Sequence, residues 1–237
     1  MVFYSFGIFF YCLMFVKNNT KIHIFANMEY LIVENSNIDS IIGITTIEES
    51  SEELLSRLEK KENYLPVLAK MSEHRKREWL SARVLLKELL GEEKEIRYTD
   101  SGKPYLADCS SFISISHTKG YVAVIVNKER PVAIDIEQIA SRVERVRTRY
   151  MNATEEQNLS KENPLIHLLL HWSAKESLFK WMDESDINFQ TQLHIHPFEP
   201  KIDEWAEFTA HETRTDKQQE FRIHNIVTDK YVLTVIE

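Results

Sequence analysis

The sequence predicts an α+β fold made of two similar α/β lobes, and three observations predict it. Each half of the chain offers strand patterns, one long helix pattern and then strands again. A chain of 237 residues is long enough for one large domain or two small ones. Its apolar share of 43% is that of a globular protein, and no low-complexity tract interrupts it. The expected division is an apolar N-terminal extension at 1–27, an N-terminal lobe at 28–130 and a C-terminal lobe at 131–237.

The elements follow from local patterns. Residues 30–34 and 41–47 read as strands separated by the turn-prone Asn35-Ser36-Asn37. Residues 52–61 read as a helix. Residues 68–90 read as a longer one, with Trp79, Leu80, Leu86, Leu89 and Leu90 on its apolar face and Gly91 as its stop. Short strands are expected at 96–98, 112–116 and 121–126, and Lys128-Glu129-Arg130-Pro131 turns the last of these into the next strand. In the second half, 141–151 looks helical, and Thr154-Glu155-Glu156-Gln157 fits a capping box. Pro164 sits where a helix starts, and 165–182 continues it. Strands close the chain at 193–195, 205–210, 221–226 and 231–236, the last two joined by a hairpin turn at 227–230.

Composition excludes some functions. A net charge of −8 argues against non-specific nucleic-acid binding, though not against a local basic pocket. Two cysteines, Cys12 and Cys109, form no metal-type spacing and no disulfide framework, which fits a reducing compartment. The first 16 residues are uncharged and apolar. They are short for a spanning helix, which needs about 20 residues, and lack the basic start of a signal peptide. Translation from Met28, directly before the strand pattern Glu29 to Glu34, is the favoured reading over an anchor or a signal; no membrane partner is expected.

The chemistry concentrates in Val132-Ala133-Ile134-Asp135-Ile136-Glu137. Side chains alternate along a strand, so Val132, Ile134 and Ile136 share an apolar face and Ala133, Asp135 and Glu137 share the other. Two carboxylates aimed the same way raise each other's pKa unless a cation lies between them. A bound Mg2+ answers this, since hard cations take carboxylate and phosphate oxygens; an exposed edge face in water answers it too. A second cluster lies on the long second-half helix, where Trp172, Glu176 and Lys180 recur at i, i+4 and i+8 with Lys175 flanking. An ordinary surface pair between Glu176 and Lys180, with Trp172 in the core, would give the same spacing. His117 ends a strand in Ser114-Ile115-Ser116-His117-Thr118, and Gly102-Lys103-Pro104 forms a loop.

Taken in series, these motifs resemble the 4'-phosphopantetheinyl transferases, in particular the larger, two-lobed kind that activates peptide synthetases and other carrier proteins. The resemblance covers residues 71 to 182 well. Ala133 stands where the family has Gly, Ser114 where it has Asn and Thr118 where it has Ser. It implies two lobes in a pseudo-twofold arrangement with the active site between them. It implies that the 4'-phosphopantetheine arm of coenzyme A passes to a serine of an apo acyl or peptidyl carrier protein, releasing adenosine 3',5'-bisphosphate. Mg2+ would be the cofactor, held by Asp135, Glu137 and Glu176 on the pyrophosphate. Glu176 and Lys180 would be catalytic, and Lys175 and Lys180 would meet the phosphates. Ser116 and His117 would contact coenzyme A, with His117 near the 3'-phosphate. Lys103 would line the adenine pocket, and Arg77 or Arg83 would reach the 3'-phosphate. The protein is expected in the cytoplasm, as a monomer. The alternative is a catalytically silent coenzyme A-binding regulatory homologue, against which the intact acidic and basic residues speak.

One basic stretch concerns the partner. Carrier proteins are acidic and so is this chain, so docking calls for a local basic surface. Arg142, Arg145 and Arg149 recur at i, i+3 and i+7 and would share one helical face, either docking the carrier or standing solvated beside Glu144.

Overall fold

The computed structural model describes residues 38–237 with their side chains, and before them the backbones of the strands Val2–Phe6 (β1), Phe9–Val16 (β2), Thr20–Phe25 (β3) and Tyr30–Asn35 (β4). The readings of residues 1–27 as extension or anchor, and of the turn at Ser36 and Asn37, concern side chains outside the described residues. The fold mixes helices with antiparallel sheets, an α+β architecture. The chain divides into two compact units, Met1–Arg97 with Pro104–Arg130, and Tyr98–Lys103 with Pro131–Glu237.

The first unit continues with Ile38–Thr46 (β5), Ser51–Ser56 (α1), Lys61–Leu68 (α2), Glu73–Leu90 (α3), Ile96–Tyr98 (β6), Pro104–Leu106 (β7), Phe112–Thr118 (β8) and Tyr121–Asn127 (β9). Its main sheet runs β1-β2-β3-β4-β5-β9-β8, and β6 pairs with β7. The expected helix at 68–90 divides in two. Leu68 ends α2, and α3 restarts behind Ser72, whose hydroxyl accepts from the Arg75 amide. The apolar pattern runs on across the break because Leu68 enters the same core as Leu80, Leu85 and Leu86. Gly91 stops α3 with φ +74, a conformation glycine adopts without strain. Gly43, in mid-strand, lets α3 lie directly on β5: a Cβ there would stand 2.9 Å from Leu85 Cδ1 and 3.0 Å from Leu89 Cδ2.

The second unit is Ala133–Gln138 (β10), Arg142–Val146 (α4), a 3₁₀ turn at Arg147–Arg149, Ala153–Gln157 (α5), Pro164–Met182 (α6), Leu193–Ile195 (β11), Trp205–Glu212 (β12), Glu220–Val227 (β13) and Tyr231–Ile236 (β14). The sheet order is β10-β14-β13-β12-β11, all antiparallel. Helix α6, opened by Pro164, lies across β10 and β14, and Ala174 and Leu178 pack with Ala133, Ile223 and Ile236. The single helix expected at 141–151 ends at Val146 instead. Its continuation is overruled by burial: Tyr150 and Met151 turn into the core, and the Tyr150 carbonyl accepts from Lys175 Nζ at 2.6 Å. The expected capping box sits two residues earlier, with Asn152 and Glu155 exchanging bonds of 2.9 Å at the start of α5.

Candidate active site

The two acids of β10 are not on a water-facing edge. Residues 133–136 are buried on both faces, and the Ala133, Asp135 and Glu137 side is covered by α6. Asp135 is 4% exposed, and its Oδ1 accepts from Lys180 Nζ at 2.8 Å. Lys180 also donates to the Ile134 carbonyl at 3.1 Å. One rung along, Glu137 Oε1 accepts from the indole Nε1 of Trp172 at 2.8 Å, and Oε2 from Arg142 at 3.0 Å. The i, i+4, i+8 row of α6 thus meets the alternate row of β10. Trp172 and Lys180 each engage one carboxylate, and Glu176 stands between them on the same face.

The electrostatics follow from that crowding. Burial raises the pKa of Glu137, with the Asp135 charge adding to it; the Trp172 and Arg142 bonds oppose the rise. Glu176 is pushed up to about 7, by burial first and then by the Asp135 charge, with Lys180 pulling it down and Glu137 adding to the rise. The Asp135 charge raises both glutamates, and the three carboxylates form an all-oxygen donor set that a hard divalent cation would relieve, so the residues present fit Mg2+.

A prediction follows for the protein in EDTA. Between pH 4.5, the ordinary value for a glutamate, and about 7, folded Glu176 holds a proton that the unfolded chain has released. Stability should therefore fall as pH rises through this window. Glu176→Gln should flatten that slope, read from urea midpoints on either side of it. An unchanged slope would mean that Glu176 titrates normally.

The other expected residues find different settings. Lys175 is fully buried on another side of α6. Its ammonium donates to Glu155 Oε2 at 2.8 Å, Tyr150 O at 2.6 Å and Phe189 O at 2.9 Å, so all three donors are taken. These bonds anchor α5 to α6. Lys103 donates to the Trp181 carbonyl at 3.1 Å, near the C-terminal end of α6, while Ser101 bonds the C-cap Asp183. A cation there suits the helix dipole. Burial lowers the pKa of Lys103 against the Asp183 charge.

In the first unit, Arg77 donates to the carbonyls of Glu49 and Ile47. Arg83 is buried, its guanidinium over the Trp79 ring and its NH1 bonded to Trp79 O. The arginine beside His117 is Arg75, which the sequence reading passed over. It donates to His117 Nε2 at 2.6 Å and pairs with Glu78 at 3.1 Å. The neutral His117 ring then carries its proton on Nδ1, 3.4 Å from Glu78. Ser116 is buried beside it on β8.

A cavity of about 480 Å³ lies next to the carboxylates. Glu137, Arg142, Val143, Arg145, Val146, Arg149, Leu169 and Trp172 line it. The three arginines expected on one helical face do share a surface, although Arg149 reaches it from the 3₁₀ turn.

Three acids and a lysine thus meet where the alternate row of β10 faces α6. Residues 131–236 match the model of the 4'-phosphopantetheinyl transferase superfamily. The superfamily transfers phosphopantetheine, and all four residues of the cluster lie within the match. No curated protein matches the chain. Among the described residues, no helix is long and apolar enough to cross a membrane.

Proposed function

We propose that this chain transfers the 4'-phosphopantetheine arm of coenzyme A to a serine of an apo acyl or peptidyl carrier protein, with Mg2+ as cofactor. The convergence of Asp135, Glu137, Glu176 and Lys180 within the family match carries the reading. Asp135, Glu137 and Glu176 would hold the ion, which supplies charge neutralisation on the pyrophosphate when bound.

The chain's own residues do the rest. Glu176 accepts the proton from the serine hydroxyl, directly or through a water. The serine oxygen bonds to phosphorus, and the bond to adenosine 3',5'-bisphosphate breaks with its electron pair. Lys180 neutralises charge building on the phosphates, from a position fixed by Asp135 and Ile134 O. Trp172 and Arg142 hold Glu137 in place. For the 3'-phosphate, Arg75 with His117 fits better than Arg77 or Arg83, whose guanidiniums are committed to backbone and ring partners. Lys103 and Lys175 act as supports of α6.

The cavity beside Glu137 is the proposed approach of the carrier, with Arg145 and Arg149 facing its acidic surface. Their charge reversal should raise the carrier's KM about tenfold and leave coenzyme A binding unchanged; equal carrier kinetics would remove the docking role. The activity itself is tested by intact mass of apo-carrier proteins after incubation with coenzyme A and Mg2+. A gain of one phosphopantetheinyl arm, lost in EDTA, is the expected result. Coenzyme A binding with no gain on any carrier would instead favour the silent homologue.

A further inference from the structure

Across the sheet of the second unit, the outer three strands gather imidazoles. In the β11, β12 and β13 registers, His194 stands opposite His211, and His211 opposite Glu220. His196 follows β11, its amide donating to Thr209 O at 3.0 Å, so it stands two positions on from His194 on the same face.

We propose that His196, His211 and Glu220 bind one zinc-class transition-metal ion, separate from the carboxylate cluster. One ligand atom from each residue lies within 4.8 Å of the others, the group of three that meets this spacing among the described residues. His196 Nε2 stands 2.9 Å from His211 Nδ1. Two nitrogens bound at about 2.0–2.1 Å to a tetrahedral ion lie about 3.3 Å apart, so the rings need only part by a few tenths of an ångström.

The surroundings prepare the ligands. His196 Nδ1 is 2.8 Å from the Thr209 hydroxyl, which can accept its N–H in the tautomer that leaves Nε2 with the lone pair; His211 Nδ1 then donates to Nε2 at 2.9 Å and gives up that proton when the ion binds. The His211 ring stacks on His194 at 4.7 Å and 18°, fixing its plane. Two imidazoles and one carboxylate select zinc, nickel or copper over Mg2+. The ion would tie the three-residue edge strand β11 to β12 and β13. That strand matters to α6, because the Ile195 amide holds Glu155 Oε1 at 2.9 Å and Glu155 holds Lys175.

The test uses the full chain without a polyhistidine tag, dialysed against zinc chloride with Mg2+ in excess, with bound zinc counted per chain. The wild type should retain one zinc that Mg2+ does not displace, and zinc should raise its melting temperature. His196→Ala and His211→Ala should each weaken binding by at least about tenfold, and the double variant should lose the zinc-dependent rise in melting temperature. Asp135→Asn should bind zinc as the wild type does. The proposal fails if wild type retains no zinc, if the double variant binds it equally, or if Asp135→Asn is the variant that loses it.

Discussion

Asp135→Asn should lower phosphopantetheine transfer by a hundredfold or more, roughly the cost of removing one charge-stabilising group from a buried site. The variant is isosteric, and its amide oxygen can still accept from Lys180, so the fold should survive. The charge does not. Asp135 is 4% exposed between Lys180 on α6 and Thr234 on β14, where no solvent replaces a lost anion. Its loss should also lower the pKa of Glu176, since the Asp135 charge is the second largest cause of that elevation. In EDTA the fall in stability between pH 4.5 and about 7 should therefore flatten in this variant. A kcat within a few-fold of wild type would remove Asp135 from the metal set and from the active site.

Lys175→Ala should destabilise the protein by about 3–5 kcal/mol, the usual cost of stripping one partner from a buried ion pair. Lys175 and Glu155 are 0% and 1% exposed, so the remaining carboxylate would lie in the core without its cation. Two backbone carbonyls, Tyr150 O and Phe189 O, would lose their donor at the same time. A loss of this size is a large part of the 5–15 kcal/mol typical of whole domains. Urea unfolding measures it. Lys175→Met combined with Glu155→Gln should lose less than Lys175→Ala alone, because no unpaired charge remains and the glutamine oxygen can still accept from the Ile195 or Asn152 amide. A Lys175→Ala loss below about 1 kcal/mol would mean that water reaches Glu155 in solution.

The carboxylate cluster was legible in the sequence because two periods intersect there. The alternation of Asp135 and Glu137 needs only a strand, and the spacing of Trp172, Glu176 and Lys180 needs only a helix. Lys175 is a related case. It neighbours Glu176 in sequence, but one residue turns a helix by about 100°, and sequence alone does not tell which side faces a core. Arg75, Arg77 and Arg83 pose the same difficulty on α3, where the packing of Trp79 and the 47–49 loop decides which arginine is left beside His117. The helix expected through Arg149 failed because a tertiary bond, Lys175 to Tyr150 O, outweighed local propensity. His196, His211 and Glu220 left no motif at all: they lie fifteen and nine residues apart, and only the strand register brings them together.

The loop Tyr98–Lys103 bears on how the protein can be dissected. It belongs with the second unit, though the chain visits it before β7, β8 and β9 are made. A fragment cut at Pro131 would keep every residue of the family match and still lack Lys103 and Ser101, which close the last turn of α6 at Trp181 and Asp183. The turn it exposes is the one that carries Lys180. Such a fragment should fray from that end, where the free carbonyls are no longer met. Supplying residues 98–103 as a separate peptide, or grafting them ahead of Pro131, should restore the helix end. The boundary of a stable piece is drawn by the loop that closes α6, which lies upstream of the family match at residues 131–236.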